Sequence, residues 1–152
     1  IDKLYLNLKE FADFPVFVDI PTGRSKPPSK KYTDSEISRI LSDNSNIKYV
    51  AISNVESSAS LVSFREIINN QAVIVPKIET IKGIKNLKEI LSGMVDSEKI
   101  IMLDHDDLFS DVVKNGYAAD KFLHLVDDLV EFCNKNTIKL LRVRGVIFSD
   151  KI

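Results

Sequence analysis

A single cysteine, Cys133, in a chain of 152 residues excludes an internal disulfide framework and any multi-cysteine metal site. Its expected role is that of a small apolar side chain in a reducing cytosol. No apolar stretch approaches the roughly 18 residues that a membrane-spanning helix needs, and no basic-then-apolar leader opens the sequence. Charge of one sign is also missing. Lys and Arg number 21 against 22 Asp and Glu, so a net charge of -1 provides no field for nucleic acid or an anionic membrane, and neither is expected as a partner. No glycine-rich dinucleotide fingerprint follows any of the strands read below. The expectation is a soluble, cytoplasmic protein. Its first residue, Ile1 rather than Met, suggests a fragment or a processed product.

With 44% hydrophobic and 28% charged residues, the chain has enough apolar content for one core and too much for a disordered tail, so a single domain over 1–152 is expected. Short β-rich runs alternate with longer stretches of helical period. Pro15 to Asp19, Lys48 to Ser53, Ala72 to Lys77, Lys99 to Leu103, and Lys139 to Val143 with an extension toward Phe148, read as strands. Thr33 and Glu36 form a capping-box pattern that starts a helix near Asp34. Leu61 to Ile68, Ile84 to Leu91 and Phe122 to Val130 mark three further helices by apolar residues three and four apart. Between the first strand and first helix, Pro21 to Lys31 is a basic, proline-rich loop. Strands apolar on both faces with intervening helices call for an α/β protein with a parallel sheet, either open or closed into a barrel.

Polar residues gather where strands end: Asp19, Ser53, Lys77 with Glu79, and Asp104 with Asp106 and Asp107. In parallel α/β folds that edge is where ligands bind. Glu79 and Asp107, one β/α unit apart, could share a hard cation such as Mg²⁺ or Mn²⁺, and Lys77 would point into the same mouth, where an ammonium can stabilise charge on a phosphoryl group or an enolate oxygen. The alternative is that these are solvated strand ends. His105 reads as a ligand or base, or as an exposed histidine held by a neighbouring acid, and His124 as part of an amphipathic helix. Arg142 and Arg144, on the last strand, must face a polar mouth or an interface. Arg24, Lys26, Lys30 and Lys31 could meet nucleotide or sugar phosphates, or belong to a solvated loop.

Val75-Pro76-Lys77-Ile78-Glu79-Thr80, with Gly83, Asn86 and the helix through Glu89-Ile90-Leu91, resembles the pyruvate kinase segment that reads AKIE, then Gly, Asn and EIL. Ile101-Met102-Leu103-Asp104-His105-Asp106-Asp107-Leu108 is similar to that family's IMVARGDL, Tyr49 to Ser57 to its IALSFVRS strand, and Val18 to Arg24 to its DLxGPxxR strand end. The resemblance implies a pyruvate kinase-type (β/α)₈ barrel of which about five β/α units are present, with the lid domain missing. It further implies Mg²⁺-dependent phosphoryl transfer between phosphoenolpyruvate and ADP, with K⁺ as a second cation. Lys77 would stand beside the transferred phosphoryl group, and Glu79 and Asp107 would hold the metal. Ser53, Asp106 and Arg144 would contact pyruvate, phosphoenolpyruvate or a related keto acid, and Arg24 and Lys26 the nucleotide.

The same superfamily includes HpcH/HpaI aldolases and citrate lyase β subunits, which place a Glu and an Asp on a metal and act on a pyruvate enolate. The pattern departs from pyruvate kinases at Asp106, where they have glycine, at Glu56, where they have arginine, and at Arg144, where they have threonine. Those changes leave open a non-catalytic binding module. Completion of the barrel by other residues, or association with a second copy, is also expected.

Overall fold

A computed structural model describes residues 8–20 and 32–143. Five strands and six helices alternate through these residues: β1 (Val16–Ile20), α1 (Asp34–Asp43), β2 (Ile47–Ile52), α2 (Ser58–Ile68), β3 (Val73–Ile78), α3 (Ile81–Lys85), α4 (Leu87–Ser92), β4 (Ile100–Asp104), α5 (His105–Lys114), α6 (Asp120–Lys135) and β5 (Lys139–Val143). The strands form one sheet in the order β1-β2-β3-β4-β5, and every neighbouring pair is parallel. The fold is therefore α/β with a five-stranded parallel sheet. The proposed continuation of the last strand toward Phe148 lies outside the described residues. Among the described residues no helix is long and apolar enough to cross a membrane.

The strand order never reverses. Because β-crossover-β connections are right-handed, a run of neighbours added always on the same side places the helices on one face of the sheet. That face carries the main core. Val50, Ile52, Ile74, Ile78, Ile101 and Leu103 pack there with Ile40, Leu61, Ile90, Leu108 and Leu129 from the helices. The second face holds a smaller cluster, Ala51, Val75, Ile100 and Met102, flanked by Tyr49 and Leu141. Side chains alternate along a strand, and in-register partners in a parallel sheet share a face. The pairs Asp19 with Ala51, Ala51 with Val75, and Lys77 with Met102 therefore fix one continuous row of residues on this second face. Two residues beyond Ala51, Val75 and Met102, the same face presents Ser53, Lys77 and Asp104. The apolar floor thus ends in a polar rim.

β3 ladders to β2 through Tyr49–Val73 to Ile52–Pro76, and to β4 only at Lys77 and Ile78. Pro76, which has no N–H to donate, sits where the two ladders change over. Two expected features differ in detail. The single helix read through Ile84 to Leu91 is two, broken at Asn86, whose side-chain amide donates to the Glu56 carbonyl at 2.7 Å instead of leaving the backbone to wind on. An additional helix, α5, begins directly at the end of β4, because Asp104 caps it by accepting from the N–H groups of Asp106 (3.2 Å) and Asp107 (3.3 Å).

The capping box at α1 forms as read. The Glu36 N–H donates to Thr33 Oγ1 at 3.3 Å, and the Thr33 N–H donates to Glu36 Oε2 at 2.7 Å. Thr33→Ala removes one of these bonds and orphans an N–H. The expected result is a fall of about 2–4 °C in Tm by circular dichroism, the usual effect of a lost N-cap in a chain of this size.

Candidate metal centre

The polar rim is built around one buried ammonium. Lys77, 3% exposed, has its Nζ 3.2 Å from Asp19 Oδ2, 2.9 Å from Glu79 Oε1, 3.4 Å from Ser53 Oγ and 4.0 Å from Asp104 Oδ2. Burial works to lower its pKa, but the hydrogen bond and charge of Glu79, with Asp19 behind them, outweigh burial and leave it raised. The lysine stays protonated.

Glu79 is more enclosed still, 1% exposed. Its Oε2 accepts from the Asn54 N–H at 2.8 Å. Its Oε1 lies 2.9 Å from the Lys77 ammonium as an ion pair and has no other partner among the described residues. Burial pushes the Glu79 carboxyl above its ordinary value, the Lys77 ammonium and the Asn54 N–H pull it back only in part, and the charge of Asp107 adds to the rise.

The β2-to-α2 loop fixes this carboxylate. Asn54 adopts a left-handed backbone, φ 54°, as it presents its N–H, and Val55 N–H donates to the Lys77 carbonyl at 3.2 Å. Glu56 then ties the loop to α3: its Oε1 accepts from Thr80 Oγ1 at 2.9 Å, and its Oε2 pairs with Lys82 at 2.9 Å. Gly83 allows the approach, since a Cβ there would lie 2.9 Å from the Val55 carbonyl oxygen. The negative charge at Glu56, a departure from the resembled family, has a local partner in Lys82.

One carboxylate oxygen from each of Glu79, Asp104 and Asp107 lies within 4.8 Å of the others. Three hard oxygens at this separation, one of them on buried Glu79, whose Oε1 meets only the Lys77 ammonium among the described residues, suit Mg²⁺ or Mn²⁺ better than softer ions. The residues present fit the group. Asp104 divides its oxygens: Oδ1 caps α5 and Oδ2 faces Lys77.

Of the residues read from sequence, Lys77, Glu79, Asp107 and Ser53 come together here. Asp106 is exposed on the first turn of α5 and is not one of the three carboxylates. Arg24, Lys26 and Arg144 lie outside the described residues, as do Lys30 and Lys31. Asp104 and Asp19 complete the site without having been assigned a role. Their signal was period-two spacing, Met102 to Asp104 and Phe17 to Asp19, from a face already read as apolar.

Among the described residues His105 is held by an arginine and a carbonyl rather than by an acid. Arg142, in register with Leu103 on the helix-bearing face, donates to His105 Nε2 at 3.0 Å from Nη2 and 3.3 Å from Nε. The acceptor role of Nε2 makes Nδ1 the donor to the Val143 carbonyl at 2.8 Å. His124 is exposed on α6. Burial pushes the Cys133 thiol up to about 11, so it packs as an apolar side chain and is no nucleophile at neutral pH.

No protein-family model and no curated protein matches the chain. Among solved structures it is similar to RipC from Yersinia pestis, with a TM-score of 0.67 over 98% of this chain at 16% identity. The likeness is one of fold. The chain spans 66% of the length of RipC.

Proposed function

We propose that the five strands are an arc of a (β/α)₈ barrel whose strand ends hold Mg²⁺ or Mn²⁺ through Glu79, Asp104 and Asp107 and bind a small 2-oxo acid such as pyruvate, for lyase or aldolase chemistry through its enolate. The unreversed strand order supports the barrel, since helices confined to one face of a twisted parallel sheet leave the other to curl inward.

One observation carries the substrate class: the charge of the rim. Among the described residues, a single cation, Lys77, faces Asp19, Glu79, Asp104 and Asp107. One cation against four carboxylates leaves a formal charge of −3, which a divalent cation would reduce to −1. A monoanionic oxo acid adds one negative charge to that set, whereas phosphoenolpyruvate with ADP adds several. When bound, the cation supplies Lewis acidity to the carbonyl and carboxylate oxygens of the acid. Lys77 donates to the oxygen that gains charge as the methyl C–H bond breaks, its proton passing to solvent and its electron pair into the enolate, while Ser53 and Asp19 hold the ammonium and Ala51, Val75 and Met102 form an apolar floor beneath it.

The test is hydrogen exchange at the methyl group of pyruvate in D₂O, followed by proton NMR. Exchange that requires Mg²⁺ and disappears in Lys77→Met is the expected result. Absence of exchange with pyruvate and Mn²⁺ both bound would overturn the enolate reading. Phosphoryl transfer uses the same Lys77, Glu79 and Asp107, and the expected result is no ATP from phosphoenolpyruvate and ADP. ATP formation lost in Lys77→Met would restore that reading in its place.

A further inference from the structure

Lys77 occupies the carboxylates that a divalent cation would need. Its ammonium is 2.9 Å from Glu79 Oε1 and 4.0 Å from Asp104 Oδ2, while Asp107 completes the three-oxygen set. A dication entering between those oxygens meets a fixed positive charge in a poorly solvated setting, where repulsion between like charges is strong. The ammonium stands among three carboxylates, those of Asp19, Glu79 and Asp104. It can move.

Asp19 offers the place to move to. In strand order, Asp104 on β4 lies on one side of Lys77 and Asp19 on β1 on the other. Asp19 already accepts from Nζ at 3.2 Å, and its side chain, 45% exposed, reaches the open mouth. Ser53 Oγ, 3.4 Å from Nζ, lies on the intervening strand side. Resting on the metal reading above, we propose that Lys77 is a built-in occupant of the cation site in the metal-free protein, and that Asp19 is the positioning residue that receives its ammonium when a divalent cation binds. Binding of the metal then swings the lysine off Glu79 and toward the mouth, so that the metal and the donor for an anionic substrate oxygen are assembled in one event. By linkage, an anionic ligand that holds Lys77 on the Asp19 side tightens the metal.

The experiment is a double-mutant cycle in Mn²⁺ affinity, read from the electron paramagnetic resonance signal of the free ion, on wild type, Lys77→Met, Asp19→Asn and the double variant, with Glu79→Gln as the site control. Lys77→Met should bind Mn²⁺ at least about tenfold more tightly than wild type, since the competing charge is gone. Asp19→Asn should weaken Mn²⁺ by about tenfold with Lys77 present but by less than about threefold in the Lys77→Met background, where only the lost field of the carboxylate remains. A purely structural role for Asp19 predicts the same loss in both backgrounds. If Lys77→Met does not fold, Lys77→Gln replaces it in the cycle, and Asp19→Asn, altering a half-exposed side chain, still reports on its own.

Glu79-dependent Mn²⁺ binding that Lys77→Met does not tighten, or an Asp19 effect that persists undiminished without Lys77, overturns the inference and leaves the metal reading standing. No Glu79-dependent site in either wild type or Lys77→Met overturns both.

Discussion

Lys77→Met is expected to lower the unfolding free energy of the metal-free protein by about 3–5 kcal/mol, the usual cost of removing one partner from a buried ion pair. The reason is the carboxylate left behind. Glu79 is 1% exposed, has a single backbone donor in Asn54, and would retain Asp104 and Asp107 as like-charged neighbours. Methionine has nearly the volume of lysine and would stand in the same register opposite Met102, so the loss reports charge rather than volume.

The pH dependence separates the two. Burial raises the Glu79 carboxyl above its ordinary value of 4.5, and a group with its pKa raised on folding destabilises the native state where it is ionised. The deficit should therefore be full above the raised pKa and shrink as pH falls through it toward 4.5, where Glu79 takes a proton in both states. Urea unfolding with and without Mn²⁺ gives the complement: a metal that binds only the native state should recover about 2.7 kcal/mol at a hundredfold excess over its Kd. A deficit that is independent of pH and unmoved by Mn²⁺ would mean that packing, not the orphaned carboxylate, was lost.

The second large effect separates the two oxygens of Asp104. Because Oδ1 caps α5 and Oδ2 faces the cation site, serine can replace the first role and not the second. Asp104→Ser should leave thermal stability within about 2 °C of wild type while weakening Mn²⁺ by about a hundredfold, as expected for loss of one of three charged ligands to a hard cation. Asp104→Ala should show the same loss of Mn²⁺ and an additional destabilisation of about 1 kcal/mol from the uncapped N–H groups of Asp106 and Asp107. Equal Mn²⁺ affinity in wild type and Asp104→Ser would remove Asp104 from the ligand set.

The centre of the sheet was legible in the sequence because β3 and β4 are buried on both faces. Val73 to Ile78 and Ile100 to Leu103 are apolar runs interrupted only by Pro76 and Lys77, and runs of that length between helical periods have few other solutions. The start of α1 was legible because a capping box is local chemistry. α5 was not, since its first residues, His105-Asp106-Asp107, look like site chemistry and its cap, Asp104, is also the last residue of a strand.

Lys77, Glu79 and Asp107 could be read from their positions after consecutive strands. The partnership of Lys77 with Asp19 could not, because it joins β1 to β3 across an intervening strand and depends on sheet register, which no local pattern states. Arg142 was read as facing a polar mouth or an interface; register puts it on the helix-bearing face beside Leu103, where it donates to His105.

The central claim is that Glu79, Asp104 and Asp107 form a site for a hard divalent cation, and its most direct test is Mn²⁺ titration of wild type, Glu79→Gln and Glu131→Gln, counting bound ions by electron paramagnetic resonance. Glu131 is an exposed carboxylate on α6, paired with Lys135 and remote in sequence from the strand ends. One Mn²⁺ per chain, lost in Glu79→Gln and retained in Glu131→Gln, is the result this structure predicts. Equal affinity in all three proteins, or equal loss in both variants, would contradict it.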